Sequence, residues 1–186
     1  AVLPLILAVI EGRPHGSMPV ESVSTSAVLP ANINNVWNAN VFYENVKHDP
    51  PWILPYGLAP PLGTSGPSTA AGGRRTCVYN KGRITKVVTE SQLPRRLAFD
   101  VVVQQIGYER HVRLRSGSFQ FEAQSDGTTL VTLTTEYEPL LRPRWCWRPF
   151  ERHAVHLLHE YVIEGISLEA LDSIGEPPGA PHAHRD

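Results

Sequence analysis

The side chains best equipped for chemistry lie close together late in the chain: His153, His156, His159 and Glu160. Residues three or four apart share a helix face, so His156 and Glu160 have the spacing of a metal-ligand pair. The string His156-Leu157-Leu158-His159-Glu160 is nevertheless a permutation of the zinc-protease motifs HExxH and HxxEH, and its imidazoles span too wide an arc to converge. The cluster reads as a solvated helical flank, and no metal is expected. Just upstream, Arg142, Arg144, Trp145, Trp147 and Arg148 surround Cys146 in a proline-bounded loop. Tryptophan favours membrane interfaces and arginine meets lipid phosphates, so this loop can touch a bilayer or guard a cavity mouth. The other reading packs the tryptophans under a helix start and pairs the arginines with acids such as Glu151. Tyr79, His111, Arg113, Glu136 and Tyr137 are polar candidates to polarise a carbonyl or move a proton. No motif joins them, and strand parity does not decide which point inward. With no GxSxG and no phosphate-binding P-loop, no catalytic residue and no cofactor are expected.

The elements that must position these groups belong to a globular chain of 186 residues, 41% apolar and 19% charged, the size of one domain with tails. Seventeen basic against eighteen acidic residues give a net charge of -1, which excludes the basic excess of a nucleic-acid binder. Arg74 to Arg115 holds ten basic and three acidic residues, Ser116 to Glu176 four and ten, a pattern that reads as internal complementarity. Cys77 and Cys146 suit neither a disulfide framework nor zinc and are read as reduced thiols. Ala1 to Ile10 is apolar but half the length a bilayer span requires. It reads either as a tail, with Gly16-Ser17-Met18 a cloning remnant, or as the end of a membrane segment whose Arg13 would put the domain on the cytoplasmic side. The expected organisation is a tail over 1–18, a ligand-binding domain over 19–174 and a disordered tail over 175–186, located in the cytoplasm with a membrane tether as the alternative. Oligomeric state is left open.

Val20 to Leu29 predicts a strand, and Asn32 to Lys47 one or two short helices carrying Trp37 and Phe42, with Asn32 or Asn34 as N-cap. Residues 48–73 hold six of the seventeen prolines and five glycines and predict a long loop at a cavity entrance. From Arg74 to Glu138 the pattern becomes an antiparallel meander: Arg74 to Tyr79, Arg83 to Glu90, Arg96 to Ile106, Tyr108 to Arg115, Gly117 to Gln124 and Thr128 to Glu138. Phe150 to Ser173 predicts the longest helix, a cover for the sheet's apolar face.

In this order the chain resembles the SRPBCC superfamily, which includes START lipid-transfer domains, the major birch pollen allergen and the polyketide cyclase/dehydrase group. The resemblance covers about residues 20 to 173. It rests on Leu29-Pro30-Ala31 leading to Val36-Trp37, on Gly73-Arg74-Arg75 entering a strand, and on Gly117 to Phe121 followed by Asp126-Gly127-Thr128-Thr129-Leu130. It implies an α+β helix-grip fold: a curved antiparallel sheet of six to seven strands around a long C-terminal helix, with two short helices after the first strand. Members bind hydrophobic molecules between sheet and helix and only some are enzymes, so fold does not decide function. The expectation is a carrier or sensor of a hydrophobic small molecule or lipid. A cyclase- or aromatase-type enzyme and a membrane-tethered interaction module are the alternatives. Expected to line the cavity are Trp37, Phe42, Tyr79, Phe99, Val101, His111, Arg113, Phe119, Leu133, Tyr137, Trp147, Leu157, Tyr161 and Leu168.

Overall fold

The computed structural model describes residues 19–41, 61–65, 70–79 and 81–175. Within them the chain runs β1 (Glu21–Leu29), α1 (Ile33–Val41), β2 (Pro61–Ser65), β3 (Arg74–Tyr79), β4 (Gly82–Gln92), β5 (Arg96–Gln105), β6 (Val112–Ala123), β7 (Thr129–Pro139) and α2 (Arg144–Gly175). The strands form one antiparallel sheet in the order β1-β7-β6-β5-β4-β3-β2, so only β1 lies out of sequence, against β7. This curled sheet with a long C-terminal helix is the helix-grip fold.

Period-two alternation explains the two faces. On β7, Val131, Leu133 and Tyr137 are buried, while Thr132 and Thr134 point outward and bond Ser26 and Ser24 of β1, each at 2.8 Å. Such cross-strand hydroxyl pairs tie an exposed face together without apolar contact. Asn32 caps α1, its Oδ1 accepting from the Asn34 and Asn35 N–H at 3.1 and 3.0 Å. The β3–β4 turn needs Gly82: its φ is +144°, and a Cβ there would lie 1.8 Å from the Gln105 carbonyl oxygen of β5.

Three expectations change. The proline-rich stretch predicted as loop contains β2, which pairs with β3 as the sheet's edge, the place where a strand tolerates proline. The predicted strands Tyr108 to Arg115 and Gly117 to Gln124 are one strand, β6, with a bulge between Leu114 and Ser116. Gly117 does not break it. The glycine makes room for the Phe99 ring, whose Cζ would sit 2.6 Å from a Cβ at that position. The Trp/Arg segment is helical too: α2 starts at Arg144, before Pro149, where Cys146 and Trp147 donate to the Pro143 carbonyl. One helix follows β1 among the described residues; a second would fall in 42–60, outside them. The tails 1–18 and 176–186 and most of the predicted entrance loop also lie outside the described residues.

Ion pairs seat the start of α2 on β1. Arg144 bridges Glu21 (2.7 Å) and Glu151 (2.7 Å), and Arg148 reaches Glu21 (3.0 Å). Burial works against ionising Glu21, but its bonds to Arg144 and Arg148 prevail and hold its carboxyl below the ordinary range. No helix among the described residues is long and apolar enough to cross a membrane.

Candidate ligand cavity

The inner face of the sheet is filled in two stretches. A main core gathers Leu29, Val36, Trp37, Phe121, Val131, Ile163 and Ile166 together with Val88, Leu97, Phe99, Phe119 and Leu133, and a smaller cluster holds Val23, Tyr137 and Val155. α2 rests mainly on α1, β1 and β7, and space remains between it and the inner face of β3, β4 and β5 among the described residues. There a cavity of about 170 Å³ opens. Strand period writes its wall: Arg75, Cys77 and Tyr79 from β3, Ile84, Lys86 and Val88 from β4, Leu97, Phe99 and Val101 from β5. Phe119 of β6 and Leu133 of β7 continue it, and Leu158, His159 and Val162 of α2 form the far side.

Of the residues expected from sequence, Tyr79, Phe99, Val101, Phe119 and Leu133 line this cavity. Trp37 lies in the main core instead, edge-on to Phe121 with ring centroids 5.6 Å apart. Tyr137 is fully buried in the small cluster, where burial, with Glu151 and Glu21 nearby, pushes its phenol up to about 12. Tyr161 is buried but is not among the lining residues, and Leu157 is only half-buried, because α2 presents Leu158 and Val162 to the cavity. Leu168 belongs to neither core nor cavity: it is 42% exposed, on the solvent side of α2. Trp147 donates Nε1–H to the Arg142 carbonyl at 2.9 Å and packs on Phe150, outside the cavity. Phe42 lies outside the described residues.

His111 and Arg113 are corrections of another kind. Both are exposed, His111 against Tyr108 at the β5–β6 turn and Arg113 paired with Glu138 at 3.2 Å, which Arg115 also bonds. The Arg115 bond, with both guanidinium charges, keeps the Glu138 carboxyl below its ordinary range. Glu136 is also exposed and accepts from Ser116 Oγ at 2.7 Å. Neither His111 with Glu136 nor Tyr79 with Arg113 converges in the cavity.

The histidine cluster is not a solvated flank throughout. His153 is exposed, but His159 is 1% exposed, with Nδ1 3.0 Å from Thr25 Oγ1 and Nε2 2.8 Å from Thr135 Oγ1. His156 Nδ1 shares the Thr25 hydroxyl at 2.8 Å. Burial, and next the neighbouring His156, lowers the His159 pKa from 6.5 to about 4, so the ring is neutral at pH 7. Two threonine hydroxyls orient it and occupy both its nitrogens.

Sequence reasoning missed Asn40, Arg75, Lys86 and His159 on this wall. A signal existed for two of them. Once Tyr79 is taken as inward, parity along β3 turns Arg75 inward as well, and the tight turn into β4 sets Lys86 opposite it.

No family model matches the chain, and no curated protein matches it. Solved structures do. An aromatase/cyclase from Streptomyces superposes with a TM-score of 0.60 at 13% identity, over 87% of this chain and 100% of that one. Norcoclaurine synthase from Thalictrum flavum, a point mutant in complex with a transition-state analogue, gives 0.58 at 10% identity, over 86% and 99%. A protein from Nitrosomonas europaea gives 0.55 at 13%, over 83% and 97%. The chain shares the helix-grip fold of these structures, the fold that its resemblance to the SRPBCC superfamily implies.

Proposed function

We propose that this chain binds a hydrophobic small molecule or lipid in the cavity between β3–β7 and α2, as a carrier or sensor. The observation that carries the reading is an apolar cavity walled by Val88, Leu97, Phe99, Phe119, Leu133 and Val162, where the main core opens towards α2. Each ~100 Å² of apolar ligand surface removed from water contributes about 2.5 kcal/mol, so few polar contacts are needed. A structural neighbour, norcoclaurine synthase, has been solved with dopamine and hydroxybenzaldehyde, which supports small-molecule binding as a use of the fold. A cyclase-type enzyme, the alternative, requires a proton donor and acceptor set against one another inside the cavity. His111 and Glu136 face away from it, and the nitrogens of His159 are engaged by threonines. A membrane-tethered module would rest on residues 1–18, outside the described residues.

The test is the fluorescence of N-phenyl-1-naphthylamine, a neutral dye that brightens on leaving water. Wild type should bind it, and Leu158→Trp, which fills the cavity from α2, should weaken binding about tenfold or more while the thermal midpoint holds. Undiminished binding by a folded Leu158→Trp would place the dye elsewhere and remove the support for this cavity.

A further inference from the structure

The cavity wall carries charge that an apolar ligand leaves unused. Arg75 and Lys86 are direct partners in the β3–β4 register, both turned to the cavity. Like charges placed opposite one another on a sheet oppose its pairing. Among the described residues no Asp or Glu lines the cavity. Arg75 has contacts of its own. Lys86 has no carboxylate within ion-pair distance among the described residues; its Nζ stands 4.2 Å from the centroid of the Phe99 ring, a cavity-lining face. A second observation points the same way: Asn40, also on the wall, is 7% exposed, and its Nδ2 donates to nothing among the described residues. Burial raises the Tyr79 phenol well above its ordinary pKa, so it too keeps its proton. Among the described residues the wall offers a cation and buried donors and no anion.

We propose that the natural ligand is an organic anion: an apolar body lying against Phe99, Phe119 and Leu133, with a carboxylate or comparable oxyanion received by Lys86. This rests on the hydrophobic-ligand reading and adds the chemical class of the ligand. An ammonium on an aromatic face is already part-stripped of water, so an incoming carboxylate gains a charge-assisted bond for little further desolvation. A neutral ligand of the same shape gains only the apolar term.

Isothermal titration calorimetry at neutral pH with 2-naphthoate and 2-naphthalenemethanol separates the two. The probes share a body and differ in charge. Wild type should bind the acid about tenfold or more tighter than the alcohol, as one charge-assisted bond implies. Lys86→Met should lose that preference while keeping its affinity for the alcohol, and Lys86→Arg should retain most of it; Lys86→Gln replaces Lys86→Met if the latter does not fold. Equal affinity of wild type for both probes overturns the anion, and an acid preference surviving in Lys86→Met overturns Lys86 as its receiver; either result leaves the hydrophobic site standing. Binding of neither probe by wild type overturns both.

Discussion

The concave side of the sheet is finished differently at its two ends. Over the ends of β1, β6 and β7, small residues Ala31, Ala39 and Ala170 accompany α1 and α2, and Trp37, Ile163 and Ile166 pack among them. Over β3 to β5 the described helices stand further off, and the same kind of strand faces a cavity holding Arg75 and Lys86. One row of aromatic rings runs through both regions: Trp37 on Phe121, Phe121 stacked 6.2 Å from Phe119, and Phe119 6.3 Å from Phe99. All four rings belong to the main core, and Phe119 and Phe99 face the cavity as well. Where the packing opens, the wall can carry the facing cations Arg75 and Lys86, which closed apolar packing would not accept.

The sharpest way to break this comparison is to charge the closed end. Ile166 is fully buried on α2, and Ile166→Asp leaves a carboxylate with no counter-charge in apolar packing, so a loss of more than about 4 kcal/mol, or failure to fold, is expected. Two residues on, Leu168→Asp changes a solvent-facing position and should stay within about 1 kcal/mol. Urea midpoints that fall together would show that α2 does not divide into a buried and a solvent face as described.

His159 lies at the seam between the two ends, and its effect is the next largest. Its folded pKa is about 4 against an ordinary 6.5, so the unfolded chain binds a proton that the buried ring refuses. Stability should therefore fall as pH drops from 6.5 towards 4, by about 3 kcal/mol at most, and this contribution should level off below 4. Glu21 and Glu138, whose pKa values are depressed, lose their contributions lower, below the ordinary carboxylate range. Subtracting the pH profile of His159→Gln from that of wild type isolates the upper window. Parallel profiles between pH 4 and 6.5 would show that the ring takes up its proton in the folded state.

The architecture was legible because it is written in period. Alternation set the meander, Asn32 capped its helix, and the apolar face of Ala154 to Leu171 marked α2. The site was legible only in its apolar half. Phe99, Phe119 and Leu133 announce burial by type, whereas an arginine or lysine on a strand reads as solvent-facing until the register shows which face it takes. His111 and Arg113 were drawn into the cavity by their chemistry, yet each lies on the exposed side of the β5–β6 end. Leu168 misled through helical spacing alone: a broad apolar stripe on α2 is wider than the sheet it covers. Tyr108 to Gln124 was divided at Gly117 because a strand glycine resembles a turn, while its real partner, the Phe99 ring, is distant in sequence.

The smallest expected effect bears most directly on why the ends differ. If Lys86 is held for a ligand, removing its charge should cost the empty protein almost nothing. Lys86→Met relieves the opposition to Arg75, a gain of a few tenths to about 1 kcal/mol, and forfeits a cation–π contact with Phe99 of about 0.5–1 kcal/mol. Methionine retains most of the aliphatic length, and its sulfur packs well on the same ring. The net change in ligand-free stability should thus stay within about 0.5 kcal/mol of zero. Added salt screens only the opposition, so it should shift the balance towards wild type. Chemical denaturation of both proteins at low and high ionic strength measures it. A loss above about 2 kcal/mol at either would place Lys86 in the stabilising core, and the two ends of the concave face would then differ in shape but not in role.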